Sequence, residues 1–199
     1  MDEKILKIQH TLKKELDENR YHHTLGVMYT SASMAMRYDV DVQKALYAGL
    51  LHDCAKYMAD DKKIALCREY GVSISDAEYK NPSLLHAKCG AILAEHEYQI
   101  IDFDILHAIR VHTTGVPDMS LLDKIIFIAD YIEPNRDKAP HLKELRKLAD
   151  KDLDETTYLI LKDTVDYLKA HEDQTMDPTT VSAYEYYRDW HNSQNRKGV

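Results

Sequence analysis

Apolar residues recur at helical spacing along almost the whole chain, and this periodicity constrains the fold more than any other feature. Ile5, Leu6, Ile8, Leu12 and Leu16 form one stripe, which predicts a helix to about Asn19; Leu25, Met28, Ala32, Ala35 and Met36 form a second. Asp41 reads as the N-cap of a third helix that runs into His52-Asp53, and residues 60–70 form another, closed by Gly71. Pro82 is placed to open "PSLLHAKCGAILAEH" as its first helical residue. "DFDILHAIRVHTTG" predicts a helix ending near Gly115, and "MSLLDKIIFIADYIEP" one stopped by Pro134. A long helix covers roughly residues 152–171. Asp177-Pro178 then begins a last one, whose Tyr184, Tyr187 and Trp190 read as core rather than as a stacking platform. Only six glycines and five prolines interrupt 199 residues, so the elements are long. No alternating strand, internal repeat or low-complexity tract competes, and the expected fold is an all-α helical bundle. Residues 134–140 and 171–178 are weak boundaries without linker character. One domain over 1–199 is expected, with a core of about 18–133 and additional C-terminal helices, about 141–195, packed on it.

The net charge of −8 argues against a general nucleic-acid binder, which needs a basic surplus to neutralise phosphates. Any phosphate chemistry must therefore use a few focused cations or a metal. Cys54, Cys67 and Cys89 show no CxxC spacing, and their odd number does not suit a disulfide framework; they read as reduced thiols. The amphipathic N-terminus does not resemble a signal peptide and no apolar stretch reaches membrane-spanning length, so a cytoplasmic location with no membrane contact is expected.

Eleven histidines divide by position. His10, His171 and His191 lie on polar faces or near an end and His141 in a loop, where solvation is the ordinary state. His96 suits a helix C-terminus as a cation, and His107, beside Ile105, Leu106 and Ile109, reads as a core histidine with a satisfied partner. His23, His52, Asp53, His86, His112 and Asp130 differ: each lies on or at the end of an apolar segment, where a polar side chain needs a strong partner. For Asp130, inside "IIFIADYI", that partner is a cation, a buried salt bridge or a donor on a neighbouring helix. On a helix the side chains of His52 and Asp53 diverge by ~100°, so a shared ion would sit in the wedge between them. Four imidazoles and two carboxylates form a nitrogen and oxygen set suited to iron, manganese or zinc. Their scatter along the chain leaves assembly to be demonstrated.

The order His23, His52-Asp53, Asp130 resembles the H…HD…D signature of HD-domain metallophosphohydrolases. "RYHHTLGV", "LLHDCAKY", "LLHAKCGA", "AIRVHTTG" and "IADYIEPNR", in sequence, are similar to the YqeK family of symmetrical diadenosine tetraphosphate hydrolases, across about residues 5–190. The resemblance implies a metal, iron above all and otherwise manganese or zinc, as one or two ions, held by His23, His52, Asp53 and Asp130. His23 rather than His22 matches the family's Arg-Tyr-x-His-Thr pattern. It implies Asp53 and Lys56 as catalytic groups, and His86 and His112 as ligands of a second metal or donors to phosphate. The nucleotide contacts it implies are His23, Asp53, Cys54, Ala55, Lys56, His86, His112, Thr113, Asp130, Arg136 and the segment Asp173, Gln174, Thr175, Met176, Asp177 and Pro178.

Lys56, Arg20 and Arg136 each have a plainer reading as solvated or surface-paired cations worth little. The HDxxK context favours a phosphate role for Lys56, and Arg136 sits six residues after Asp130, within reach of a bound phosphate. The implied ligands are dinucleoside polyphosphates or nucleoside diphosphates, and the aromatic last helix is a candidate homodimer surface. Rival readings are another HD nucleotidase or phosphodiesterase, a nucleotide-sensing protein, and a helical scaffold with structural polar residues. Lys56 and Arg136 count against a di-iron oxygenase.

Overall fold

The computed structural model describes residues 2–171 and 176–197, without the side chains of Asn195 and Lys197. Among the described residues there are eleven α-helices and no strand. They are α1 (Glu3–Glu15), α2 (Glu18–Arg37), α3 (Val42–Leu51), α4 (Asp60–Glu69), α5 (Asp76–Lys80) and α6 (His86–His96). Then follow α7 (Phe103–Val111), α8 (Leu121–Ile132), α9 (Leu142–Leu148), α10 (Leu153–Ala170) and α11 (Pro178–Lys197). No described helix is long and apolar enough to cross a membrane.

Helix starts follow the capping residues. Asp17, Asp41, Ser75, Asp102, Ser120 and Asp152 each accept a first-turn N–H, and Asp177 accepts from Thr179 N at 2.7 Å. Each such cap contributes about 1 kcal/mol. Asp17 also corrects the first boundary: α1 ends at Glu15, before Asn19, because the Asp17 carboxylate takes Arg20 N at 2.9 Å and starts a new helix. Pro82 opens a 3₁₀ turn, Pro82–Leu85, and α6 proper starts at His86. The five-residue α5 is too short for a periodic signal; its sequence mark is the Ser75/Glu78 capping box.

α8 is the central helix, with Ile125, Ile126, Ile128 and Ala129 fully buried among α2, α3, α7, α9 and α10. α2 is packed by α3 on one side and α8 on another. Its buried arc therefore includes Met34, while Met36, expected on the inner stripe, is 68% exposed; Leu6 on α1 is likewise exposed. α11 lies against α10 and buries Tyr187, with Tyr184 and Trp190 half-buried. That packing also claims His191, expected in solvent: it bonds Glu155 at 2.7 Å and stacks on Tyr158. His141 is exposed but paired with Asp163 at 2.9 Å, and its φ of 56° marks the entry to α9.

α2 meets α3 backbone to backbone at Gly49, where a Cβ would lie 2.8 Å from the Met28 Cα. Because the obstacle is backbone, the helices must separate to admit a methyl group. Gly49→Ala is expected to destabilise the protein by about 1–3 kcal/mol, read as a lower urea midpoint at unchanged slope. An unshifted midpoint would show that the two helices adjust freely.

Candidate metal centre

His52, Asp53 and Lys56 do not lie on a regular helix. After α3 ends at Leu51, backbone bonds from Cys54 to Leu51, Lys56 to Asp53 and Met58 to Ala55 wind the chain in three-residue turns. Such winding places side chains three apart over one another. Lys56 Nζ accordingly lies 3.6 Å from Asp53 Oδ1, and His52 points elsewhere into the same centre.

Each of the four imidazoles has its Nδ1 anchored. His52 Nδ1 donates to Gly49 O, His86 to Ser83 O and His112 to Ile109 O, all at 2.7 Å. In every case the acceptor is the carbonyl three residues upstream; Gly49 O and Ile109 O are left without a backbone partner where α3 and α7 end, while Ser83 O also accepts from His86 N in the 3₁₀ turn. His23 lies inside α2, where the backbone carbonyls are already used, and bonds the buried Glu133 Oε1 at 3.0 Å instead. An imidazole that donates at Nδ1 carries its lone pair at Nε2. All four Nε2 atoms face the two carboxylates.

Asp53 lies between two imidazole pairs. Its Oδ2 is 3.9 Å from His23 Nε2 and 3.6 Å from His52 Nε2; its Oδ1 is 3.2 Å from His86 Nε2 and 3.7 Å from His112 Nε2. Asp130 Oδ1 lies 3.0 Å from His23 Nε2 and 3.8 Å from His52 Nε2. The two pairs are satisfied differently. His86 Nε2 accepts from Lys56 Nζ at 3.1 Å, and Thr113 Oγ1 lies 3.0–3.1 Å from the Nε2 atoms of His86 and His112. His23 Nε2, His52 Nε2 and Asp53 Oδ1 are shielded from water yet make no well-aligned hydrogen bond. Three buried, converging lone-pair atoms without a donor are costly unless a cation fills the gap among them. The donor set fits a divalent metal. His23, His52 and Asp130 form one triad, and His52, Asp53 and His112 another, with ligand atoms within 4.8 Å of each other.

Electrostatics prepares the same set. Burial pushes His52 down to about 4, so its imidazole is neutral at physiological pH, and burial likewise lowers His86, helped by Lys56. Burial works to raise Asp53, but its neighbours His52, His112, His86 and Lys56 hold it well below the usual carboxylate range. Asp130 is also held low against its burial, by His23, His52 and Arg136. Neutral imidazoles beside ionised carboxylates are the protonation states a metal requires.

The structure brings together His23, His52, Asp53, Lys56, His86, His112, Thr113, Asp130 and Arg136. Ala55 packs with Cys67, Leu85 and Cys89, and Cys54 against the core, so their side chains turn into the protein. Asp173, Gln174 and Thr175 lie outside the described residues. Asp177 is buried, accepts from Ser75 Oγ and caps α11, so its carboxylate is already committed. His22 is exposed, and His107 is half-buried on Asp123.

Two participants, Arg20 and Glu133, escape the sequence reading, and a third, Arg136, makes a contact it did not foresee. Arg20, read there as a surface pair, donates to Asp53 Oδ2 at 2.6 Å with a largely buried side chain. It sits one turn before His23 on α2, and that spacing is the signal that could have placed it. Glu133, three residues after Asp130, holds His23; its Oε2 accepts from Asn135 N and Nδ2 at 2.7 and 3.0 Å. Gly26 makes room for it, since a Cβ there would lie 2.2 Å from Glu133 Oε2. Arg136, expected on phosphate, donates to Asp130 through Nε and Nη2 at 3.0 and 2.8 Å, with the rest of its half-exposed guanidinium left outward.

A family model described as HD domain matches residues 20–135. Two proteins named symmetrical bis(5'-nucleosyl)-tetraphosphatase resemble the chain. That of Halalkalibacterium halodurans is 43% identical over 87% of this chain and 91% of its own length; that of Bacillus subtilis is 41% identical over 88% and 92%. A crystal structure of a predicted HD superfamily hydrolase involved in NAD metabolism from Clostridium acetobutylicum aligns with a TM-score of 0.88 at 42% identity. It covers 92% of this chain and 96% of that one.

Two outcomes test the geometry. Glu133→Gln and Gly26→Ala are expected to weaken metal retention about 10–100-fold, measured by chelator competition, with helicity kept. Retention equal to wild type would show that His23 needs no orientation. In metal-free protein, His52 binds a proton less readily folded than unfolded, so stability falls as pH drops from 6.5 towards 4. The low Asp53 and Asp130 act in the same direction at more acid pH. The expected loss from His52 approaches about 3 kcal/mol at pH 4, and urea midpoints that stay flat from neutral pH down to 4 would refute it.

Proposed function

The chain belongs to the HD-domain family and, within it, to the symmetrical bis(5'-nucleosyl)-tetraphosphatases; from that premise we propose that it hydrolyses diadenosine tetraphosphate to two ADP with a divalent metal ion. The observation that carries this reading is the convergence of unpartnered buried His23 Nε2, His52 Nε2 and Asp53 Oδ1 beside three cations, Arg20, Lys56 and Arg136. His23, His52, Asp53 and Asp130 would hold the ion, and iron is the metal proposed, the same donors also suiting manganese and zinc. A bound ion supplies Lewis acidity, lowering the pKa of water towards ~7 and stabilising negative charge on phosphoryl oxygens.

The chain's own groups supply positioning and charge. His86 and His112, whose Nε2 atoms already have Lys56 and Thr113 as neighbours, hold a phosphate-facing wall, which favours one metal over two. The ammonium of Lys56 keeps two N–H donors for phosphoryl oxygens beyond the one on His86. Arg136 presents its free edge to the same oxygens. Asp53, fixed by Arg20, orients the water, whose proton passes to solvent. Water oxygen bonds to an inner phosphorus, the bridging P–O bond breaks, and its electron pair leaves with ADP. One water is consumed and the two halves depart as ADP. The nucleoside contacts proposed for residues 173–178 fall to Met176, Pro178 and the backbone among the described residues, since Asp177 is engaged. Concentrating cations at one cleft explains how a chain of net charge −8 accepts a polyanion.

Metal-loaded protein is expected to convert diadenosine tetraphosphate to ADP alone, resolved by anion-exchange chromatography, with loss under chelation and recovery on adding iron. Lys56→Ala should lower kcat about 10²–10³-fold, as for loss of one group stabilising developing charge. ATP plus AMP as products would overturn the symmetrical cleavage.

A further inference from the structure

A groove of about 910 Å³ opens directly from the metal centre, with Arg20, His23 and Arg136 at its inner end. Its size lies within the ~300–1,000 Å³ usual for small-molecule sites. Tyr57 lines it, the residue after Lys56 in the three-residue turns that follow α3. In such winding neighbouring side chains diverge by ~120°. Lys56 therefore faces His86 and the phosphate wall, while Tyr57 faces the groove. The Tyr57 ring is 57% exposed, yet it is tethered: its hydroxyl donates to the Asp17 carboxylate. Asp17 in turn accepts from Arg20 N, and Arg20 holds Asp53. A large aromatic ring left to solvent but anchored at its tip is pre-organised for stacking, because little freedom is lost when a flat ligand lands on it.

The groove carries both charges: Arg20 and Arg136 adjoin the metal centre, where phosphates belong, and Asp17, Glu18, Asp137 and Lys138 also line it. The Glu18 and Asp137 carboxylates can accept from ribose hydroxyls and exocyclic amines, Asp17 being taken by Tyr57 and Arg20 N. A dinucleoside polyphosphate cleaved at its middle must place one nucleoside on each side of the reacting phosphorus. We infer that this groove is the half-site for one of the two nucleosides, with its base stacked on Tyr57. The inference deepens the hydrolase reading and rests on it.

The test compares wild type, Tyr57→Ala, Tyr57→Phe and Tyr57→Trp as metal-loaded proteins. Two quantities are measured: steady-state hydrolysis of diadenosine tetraphosphate, and calorimetric Kd for its non-hydrolysable methylene-bridged analogue. Base–aromatic stacking is worth about 1–3 kcal/mol, so Tyr57→Ala should raise KM and Kd about 5–150-fold, with kcat moving far less. Tyr57→Trp should restore both, and Tyr57→Phe, which keeps the ring and loses the tether, should fall between. Replacing adenine by uracil, which stacks less, should weaken wild type more than Tyr57→Ala. An unchanged Kd in Tyr57→Ala, or a fall in kcat at constant KM that Trp does not rescue, would overturn the half-site and leave Tyr57 as a brace for Asp17 and Arg20. Wild type that binds the analogue without hydrolysing the substrate would instead sink the hydrolase reading, with the Kd ratio still deciding the groove. Absence of binding would overturn both.

Discussion

Four hydrogen bonds at histidine Nδ1 govern the rest of this structure. Each fixes one imidazole's tautomer and turns its Nε2 lone pair towards Asp53 and Asp130. Without them the rings could present N–H groups inward, and the site would become a cluster of donors that repels a cation. Two of the four acceptors, Gly49 O and Ile109 O, cost the protein nothing extra, because a carbonyl at a helix end lacks an intrahelical partner in any case, and a third, Ser83 O, takes the ring on its second lone pair beside His86 N. The fourth needed a dedicated carboxylate, Glu133, and a glycine to admit it.

Opposing charges are balanced residue by residue around that arrangement. Arg20 offsets Asp53 and Arg136 offsets Asp130, each from the groove side, while Lys56 approaches Asp53 from the opposite side. Removing Arg20 would leave the buried Asp53 with Lys56 as its one remaining cation among the described residues, and removing Arg136 would leave the half-buried Asp130 with none, losses that generally cost more than the pair contributes. The same guanidinium groups keep outward edges, so on the proposed reading the charges that stabilise the carboxylates also stand where a polyphosphate would run, and structural support and substrate recognition would be two uses of one set of side chains.

The centre also has two distinct sides. Towards His86, His112 and Thr113 its nitrogen atoms already have polar neighbours; towards Arg20, Arg136 and Tyr57 it opens into the groove. The junction is the tight turn at 53–57, whose winding sends Lys56 and Tyr57 to opposite sides. A regular helix there would have changed both directions, so the departure from α-geometry at the end of α3 is part of the site.

How much was legible in the chain itself differs by feature. Helical periodicity, sparse glycine and proline, and caps such as Asp41 and Asp177 determined the all-α class and most element positions, because these signals are local. The residues that converge at the centre were also visible, since a histidine or aspartate on an apolar stripe contradicts its surroundings unless it has a partner. Arg20 and Glu133 were not, because a charged residue near a helix end looks the same whether it faces solvent or a neighbour more than thirty or a hundred residues away. Met36 and His191 went astray for the same reason: which arc of α2 or α11 is covered depends on α3, α8 and α10. The sequence by itself determined the helices and the chemistry available. Only tertiary packing decided which nitrogen faces inward, which carboxylate each arginine meets and where the groove opens, because those depend on distances between segments that local periodicity does not encode.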